Sequence, residues 1–399
     1  MEKIINDAMD KMPNLKKPQR KFMLQLFSVL MTFVGKANFR NLSRYSKMHE
    51  KTISRWFKAR FDYLTLNTHL VHSELNESSE KIAALDASFM SKSGKKTEGL
   101  GKFWNGKNRK AEQGLEISLL AVVDIANNTA YSLEAKQTID ANSKNHNRVD
   151  TYTQQVENDA PKLRELGIKH IAVDAYYAKA KFVNGVLGTG LHLVGKLRCD
   201  ADLRWPAGSP YSGVGRPKKF DAKFSLEEDI ERLTHVATLE DNVNLYTATL
   251  YSKNFGRNIK VAILRWEKNN KVGHAILYST DLELSAEKIL TYYKARFQIE
   301  FVFRDAKQHT GLTDCQSTSK EAIHHQVNAA LTTLNLFKIE DKQNNSSNVR
   351  KVISITSWKR KKFNQHYMKI LFSNLGLELT CKKVNSVFNK FSDYGAIAA

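Results

Sequence analysis

Apolar residues recur at helical spacing through the first 78 residues of the chain. The segment FMLQLFSVLMTFVG (22–35) predicts an apolar helix, and NFRNLSRYS (38–46) begins another. The turn KMHE separates that helix from KTISRWFKARF (51–61), which is rich in Lys, Thr, Ser and Arg. The pattern predicts a helix-turn-helix inside a helical DNA-binding domain over residues 1–78, with Arg55 facing a DNA groove. An ordinary helical hairpin with a basic face is the alternative.

The period changes to that of strands at residue 81. KIAALDASFM predicts one strand, and residues 116–138 predict a hairpin of two more. A helix over 150–166, a strand at IKHIAVDAYY, a second helix and the strand LHLVGKLR follow. This α/β order, with one antiparallel hairpin and parallel additions, predicts the first part of a core over residues 79–198.

The alternation breaks after residue 198. A basic stretch rich in Pro and Gly and four strand-like runs predict a β-rich insertion over residues 199–282. A helical pattern returns at 285–311, so we expect one long helix there and the last part of the core over 283–320. Residues 321–399 predict a basic, helical C-terminal region.

Charge and composition narrow the function classes. The sequence has 62 Lys and Arg against 41 Asp and Glu, a net charge of +21 that is spread over both ends and the middle. A protein that binds a long polyanion at several places has such a distribution, and a merely basic protein is the alternative.

No apolar run approaches the ~20 residues of a membrane span, and no secretory signal is visible. We therefore expect a cytoplasmic protein without a membrane partner. Three widely spaced cysteines favour neither disulfides nor zinc.

Two aspartates follow apolar strand segments. Asp86 ends the apolar part of KIAALD, and Asp174 ends IAVD. If the first and fourth predicted strands are neighbours, these carboxylates lie close together and require a cation, for which oxygen ligands favour Mg²⁺. The alternative for each residue is an aspartate that begins a turn.

A third acid lies on the helix predicted over 285–311. At about 100° per residue, Tyr293, Arg296, Glu300 and Lys307 fall within a sector of about 60°. Glu300 can then bind a metal while Arg and Lys grip phosphate oxygens. A solvated face with an ordinary Arg296–Glu300 pair is the alternative.

The spacing Tyr-x2-Arg-x3-Glu-x6-Lys, after two aspartates at strand ends, resembles the signature of DDE transposases of the bacterial insertion-sequence type. The resemblance covers about residues 80–320. It implies an α/β fold with a ribonuclease-H-like core, a mixed sheet flanked by helices and interrupted late by the β-rich insertion.

The resemblance also implies a mechanism and partners. Asp86, Asp174 and Glu300 would be catalytic and would bind two Mg²⁺ ions, with Mn²⁺ able to substitute. Tyr293, Arg296 and Lys307 would bind DNA phosphates. The enzyme would cleave double-stranded DNA at terminal inverted repeats and transfer the ends into target DNA by a cut-and-paste route. It would act as a homodimer on DNA, associated with the nucleoid.

Other residues are weaker candidates. Arg216, within GRPKK (215–219), resembles segments that enter AT-rich minor grooves, and Trp266 is a candidate for stacking a flipped base. The basic segment 91–110 is expected to be a loop that follows the DNA backbone, with a plain solvated loop as the alternative. Asp124 is expected to be a turn residue, and His324 and His325 helix-surface residues.

Two other functions stay open from the sequence. One is a catalytically silent DNA-binding protein derived from a transposase. The other is a structure-specific nuclease of the same fold that performs no strand transfer.

Overall fold

The computed structural model of the chain describes residues 2–75, 77–138, 147–208, 217–268, 271–344 and 354–397. Its N-terminal helices are α1 (Glu2–Asp10), α2 (Lys17–Thr32), α3 (Phe39–Arg44), α4 (Glu50–Phe57) and α5 (Tyr63–Glu74). The Asn38 side chain caps α3 and the Asp62 side chain caps α5, each accepting a backbone N–H three residues further on. Helices α3 and α4 lie where the sequence pattern predicts the two helices of a helix-turn-helix.

Twelve strands of the described residues form one sheet. The strands of its first half are β1 (Lys81–Ser91), β2 (Gly101–Asn105), β3 (Lys110–Asp124), β4 (Thr129–Thr138), β5 (His170–Ala172) and β6 (His192–Lys196). Strands β4, β3, β1, β5 and β6 are consecutive neighbours, and β3 alone of these five runs antiparallel to the others. This is the arrangement expected of a ribonuclease-H-like core, with β1 and β5 as parallel neighbours at its centre.

The β-rich insertion continues the same sheet. Its strands are β7 (Leu203–Pro206), β8 (Phe220–Lys223), β9 (Thr234–Thr238), β10 (Asn244–Ser252), β11 (Arg257–Lys268) and β12 (Lys271–Ser279). Strand β12 pairs antiparallel with β6, and β11 and β10 follow outward. The insertion therefore extends the edge of the core instead of forming a separate layer.

The expectation of one continuous helix over 285–311 is wrong. The later helices are α6 (Arg148–Glu165), α7 (Ala180–Gly188), α8 (Ala286–Ala295), α9 (Gln298–Asp305), α10 (Lys320–Asn344), α11 (Ile355–Asn374) and α12 (Lys382–Ser392). Between α8 and α9, the N–H of Glu300 donates to the carbonyl of Phe297, three residues earlier. The helix is therefore locally of the tighter 3₁₀ type. After α9 comes a π-helical turn, Ala306–Thr310, which ends at Gly311 with φ +78°.

Close packing explains that ending. A Cβ on Gly311 would lie 2.3 Å from the Cβ of Ala37, whose N–H donates to Asp314 Oδ2 at 2.8 Å. Only glycine combines the left-handed backbone with so close an approach. The contact joins the N-terminal helices to the segment that follows the predicted catalytic helix.

Helix α10 binds the N-terminal helices to the core. His325 is only 2% exposed, its ring stacks on Phe57 at 4.6 Å, and its Nδ1 lies 2.8 Å from the Tyr63 hydroxyl. The expectation of a surface position for His325 is therefore wrong, because α10 is covered on both sides by neighbouring elements. Burial lowers the pKa of His325 to about 3. Within the described residues, no helix has the length and apolar composition to cross a membrane.

Two asparagines of α10 complete the hydrogen bonding of strand β4. Asn335 accepts from the Ser132 N–H at 2.9 Å and donates to the Ser132 carbonyl at 2.8 Å. Asn328 makes the same pair of bonds with Ala135, at 2.8 and 2.9 Å. Both side chains are buried, so they satisfy backbone groups that water cannot reach.

We expect Asn335→Leu to destabilise the fold by roughly 2–4 kcal/mol, because it leaves a buried N–H and a buried carbonyl of Ser132 without partners. Denaturant unfolding followed by circular dichroism measures the change. Asn389→Leu on the exposed side of α12 is the matched control and should change the unfolding free energy by less than about 0.5 kcal/mol. Equal losses in the two variants would contradict this role of Asn335.

Candidate active site

The two predicted aspartates lie at the same level of adjacent parallel strands. Ala84 of β1 is in register with Ala172 of β5, and each aspartate follows its alanine by two residues. Asp174 comes just after the end of β5, where its carboxylate accepts the Tyr176 N–H at 2.8 Å. Asp86 lies within β1 and accepts the Ala87 N–H at 2.8 Å. The centre of the sheet thus presents two carboxylates at one edge.

Burial and neighbouring charges shift the pKa of Asp86. Its side chain is 19% exposed, and burial raises the pKa of the carboxyl to about 6. The Arg296 guanidinium opposes this rise, while the negative charges of Asp174 and Glu300 add to it. A carboxylate in such surroundings is stabilised by any cation that comes close.

Arg296 lies between two of the acids. Its Nη1 is 3.7 Å from Asp86 Oδ2, and its Nη2 is 3.6 Å from Glu300 Oε1. Its guanidinium carbon lies 5.6 Å from the centre of the Tyr293 ring. The side chain is 11% exposed, and its Nε is buried without a hydrogen-bond partner in the described structure. The break between α8 and α9 therefore brings Tyr293, Arg296 and Glu300 to Asp86, although the helix is not continuous.

Lys307 reaches the same strand from the π-helical turn. Its Nζ donates to Ser88 Oγ at 2.7 Å and to the Phe89 carbonyl at 3.1 Å, and burial lowers its pKa. Ser88 follows Asp86 by two residues and so shares its face of β1. Sequence reasoning missed Ser88, although strand alternation after Asp86 could have indicated it.

A second residue missed from the sequence is Tyr176. Its side chain is 46% exposed directly beside Asp174, and the Lys179 Nζ lies 3.9 Å from the centre of its ring. An exposed aromatic ring paired with a cation is a common surface for nucleic acid. The run DAYYAK after a buried strand was the available signal.

The other candidate residues lie on other elements. Arg55 is on the exposed side of α4. Trp266 is on β11 opposite Gly273, where a Cβ would come within 2.5 Å of the indole Nε1, so the indole packs on the glycine backbone. Arg216 lies outside the described residues. Asp124 accepts from the N–H and the side-chain amide of Asn127, which confirms its role in the β3–β4 turn.

The donor chemistry at this edge fits a hard divalent cation. Among the described residues, no group of three or more His, Cys, Asp or Glu side chains is already gathered tightly enough to hold a metal ion. The three carboxylates supply only oxygen, which Mg²⁺ prefers, and the pKa of Asp86 is raised by burial first and then by the negative charges of Asp174 and Glu300. Arg296 occupies the gap between Asp86 and Glu300, so binding of an ion there requires the guanidinium to move.

The raised pKa of Asp86 predicts a pH-dependent stability. A carboxyl that binds its proton more tightly in the folded state loses stability as pH rises from its unfolded pKa of 3.8 to about 6. Asp86→Asn removes this loss. With divalent ions chelated, we expect the variant to gain up to about 3 kcal/mol over wild type as pH rises from 4 to 7.

Urea unfolding across this pH range measures the effect. Glu287→Gln, an exposed acid on α8, is the control and should keep the wild-type profile. Parallel pH profiles for wild type and Asp86→Asn would contradict the assigned environment of Asp86.

Comparison with known protein families gives one result. The model of a family described as the transposase DDE domain matches residues 77–336, more than half of the chain. A search of curated proteins found no match. The matched range contains Asp86 on β1, Asp174 just after β5, and the segment from α8 to the π-helical turn, which includes Arg296, Glu300 and Lys307.

Proposed function

Because the chain belongs to the family of DDE transposases, we propose that it is a cut-and-paste DNA transposase that cleaves element ends and joins them to target DNA. Asp86, Asp174 and Glu300 are its proposed catalytic carboxylates. One observation carries the proposal: the strand register aligns Asp86 with Asp174, and Arg296 connects Asp86 to Glu300.

The proposed cofactor is a pair of Mg²⁺ ions, which Mn²⁺ can replace. Asp86, Asp174 and Glu300 would hold them, and bound ions of this kind activate a hydroxyl nucleophile and stabilise the leaving oxygen. The protein contributes the position of the carboxylates and the low exposure of Asp86. Support comes from the oxygen-only donor set and from the raised pKa of Asp86.

Arg296, Tyr293 and Lys307 are proposed to hold phosphates beside the scissile bond. The two terminal nitrogens of Arg296 lie 3.6–3.7 Å from carboxylates, too far for strong hydrogen bonds, so the guanidinium can exchange these partners for phosphate oxygens. Lys307 already donates to Ser88, which supports phosphate binding on the face of β1 that carries Asp86.

The N-terminal helices, residues 1–78, are proposed to bind the element's end. On α4, Lys51, Arg55 and Lys58 are exposed and follow one another at spacings of four and three residues, which places them on one face. Ile53 and Phe57 are fully buried and fix that helix on the core. This arrangement supports a basic face of α4 that contacts double-stranded DNA, as in a protein associated with the nucleoid.

A homodimer on DNA is the proposed assembly, because joining requires two element ends at once. The C-terminal region, 321–399, offers an apolar surface for this contact. Its exposed large apolar side chains on or beside α11 and α12 are Tyr367, Ile370, Leu371, Leu375, Leu377, Val387, Phe391, Tyr394 and Ile397. An exposed apolar patch of this kind marks an interaction surface.

The central test is Glu300→Gln. We expect Mg²⁺-dependent cleavage of a duplex that carries the terminal inverted repeat to fall by at least about 10³-fold, because the substitution removes a charged ligand without changing the side-chain volume. Gel analysis of labelled duplex measures cleavage. Glu287→Gln on α8 is the matched control and should cleave like wild type.

The outcomes separate the proposal from its alternatives. If wild type and Glu300→Gln both leave the duplex intact, the chain is a silent DNA-binding protein. Cleavage without joined products on a supercoiled target plasmid would indicate a nuclease without strand transfer. Inverted repeats just outside the coding region would supply the required duplex.

We also expect Arg296→Ala and Lys307→Ala to weaken binding of the cleaved end by about 10-fold, because each removes one charged phosphate contact. Calorimetry should show wild-type Mg²⁺ affinity for Lys307→Ala and equal or higher affinity for Arg296→Ala, whose guanidinium no longer occupies the gap between Asp86 and Glu300. Lys294→Ala, an exposed lysine on the far side of α8, is the control and should leave end binding unchanged. A loss of Mg²⁺ affinity as large as that of Asp86→Ala would contradict the phosphate role.

A further inference from the structure

The segment predicted as a basic loop forms a projecting arm. Strand β2 pairs with the first residues of β3, from Gly101 opposite Gly114 to Asn105 opposite Lys110. We call residues 101–113 the β2–β3 arm. The expectation of a loop over 91–110 is therefore wrong for residues 101–105 and 110, because β3 continues beyond its pairing with β4 and offers a free edge to β2.

The arm exposes a tryptophan. Trp104 is 61% exposed, whereas the other four tryptophans of the chain are buried or half-buried. An indole on the surface leaves a large apolar area in water, which is typical of a side chain that a partner covers.

The arm is held firmly in its position. Phe103, the neighbour of Trp104, is fully buried, and the guanidinium carbon of Arg148 lies 4.6 Å from the centre of its ring. Arg148 also donates to the Lys102 carbonyl at 2.9 Å. In the turn, the side-chain amides of Asn105 and Asn108 donate to Glu112 at 2.6 and 2.9 Å. These contacts orient Trp104 before any partner binds, which lowers the entropic cost of binding.

The charge around Trp104 favours a polyanion. The arm carries four exposed cations and one acid; the cations are Lys102, Lys107, Arg109 and Lys110. Lys110 pairs with Glu112 at 3.2 Å, but none of the ion pairs among the described residues involves Lys102, Lys107 or Arg109. Protein interfaces are depleted in lysine at their centres, whereas nucleic-acid surfaces combine cations with an aromatic ring.

Strand register relates the arm to the active site. Trp104 is opposite Ala111, and Asp86 is opposite Leu119, so the two lie eight residues apart along β3 and on the same face of the sheet. At ~3.4 Å per residue, Trp104 lies about 27 Å from Asp86 along the strand. The same length corresponds to about eight base pairs of B-DNA.

We propose that the β2–β3 arm is a DNA-binding element that applies Trp104 to the duplex about eight base pairs from the scissile phosphate. Lys102, Lys107 and Arg109 bind the phosphates on either side of the indole. The inference rests on the proposed function, because DNA must first be the substrate of the Asp86 edge.

Trp104→Ala tests the arm directly. The probe is a fluorescein-labelled duplex of about 40 base pairs with the inverted-repeat terminus at its centre, and its binding is measured by anisotropy in EDTA. We expect about 10-fold weaker binding, the size of one lost stacking contact. Trp104→Phe should keep most of the affinity. A duplex cut back to about five base pairs on either side of the scissile position should bind wild type and Trp104→Ala equally, because it cannot reach the arm.

A second substitution tests the charge. The double change Lys107→Ala and Arg109→Ala should reduce the dependence of log affinity on log salt by about 2, since two phosphate contacts are lost. Lys169→Ala, an exposed lysine that directly precedes the central strand β5, should leave the slope unchanged.

Three results would overturn the proposal. The first is unchanged affinity of Trp104→Ala for the long duplex at an unchanged melting temperature. The second is an altered oligomeric state with normal DNA binding, which would make the arm a protein interface. The third is equal loss in Trp104→Phe and Trp104→Ala. A random duplex of about 40 base pairs is measured in parallel. Because both binding assays contain no metal, their result does not depend on whether the protein cleaves DNA.

Discussion

The parallel pairing of β1 with β5 places a carboxylate where a protein core would otherwise exclude one. Asp86 lies within a strand whose residues Ile82–Leu85 are completely buried, and Asp174 is at the same level of the next strand. A buried carboxylate beside two other acids is unfavourable by itself, and the raised pKa of Asp86 expresses that cost. Two cationic side chains lie near this carboxylate. Arg296 lies between Asp86 and Glu300, and Lys307 donates a hydrogen bond to Ser88 of the same strand.

This electrostatic arrangement needs a rigid frame, which the pairing of elements distant in sequence provides. The insertion prolongs the sheet beyond β6, so the central strands have neighbours on both sides. At the other edge, Asn328 and Asn335 of α10 replace the missing strand by bonding to the backbone of β4. The same helix holds the N-terminal helices through His325, Phe57 and Tyr63. The exposed basic side of α4 and the part of the sheet that carries Asp86 therefore belong to one packed body.

The helix that carries Glu300 departs from regular geometry on both sides of that residue. The ladder tightens before it at Phe297, and a π-helical turn follows it at Ala306–Thr310. Irregularities of this kind are common at functional sites, because they aim side chains that a regular helix would send elsewhere. Here they let Arg296 and Glu300 face Asp86 while Lys307 reaches Ser88. The contact of Gly311 with Ala37 ends the π-helical turn and connects it to the N-terminal helices.

Local patterns in the sequence were sufficient for much of the fold. Alternation and period predicted β1, the β3–β4 hairpin, β5, β6 and four of the six strands of the insertion, β9 to β12, since burial imposes those patterns wherever an element has one covered face. The spacing of Tyr293, Arg296, Glu300 and Lys307 predicted a shared site, and the transposase family was identified from it and from the two aspartates. The roles of these residues remain proposals.

What only the tertiary structure decided depends on contacts between residues far apart in the chain. His325 is buried because α4 and α5 cover α10, and no local pattern carries that information. The helix after residue 285 is broken because its side chains contact β1 and its end contacts Ala37. The prediction of one helix assumed a uniform rotation of about 100° per residue. Strand β2 forms because β3 continues beyond its pairing with β4 and leaves an unpaired edge. The sequence by itself determined which residues are candidates for the site, and the pairing of distant strands decided their distances, their burial and the shift in the pKa of Asp86.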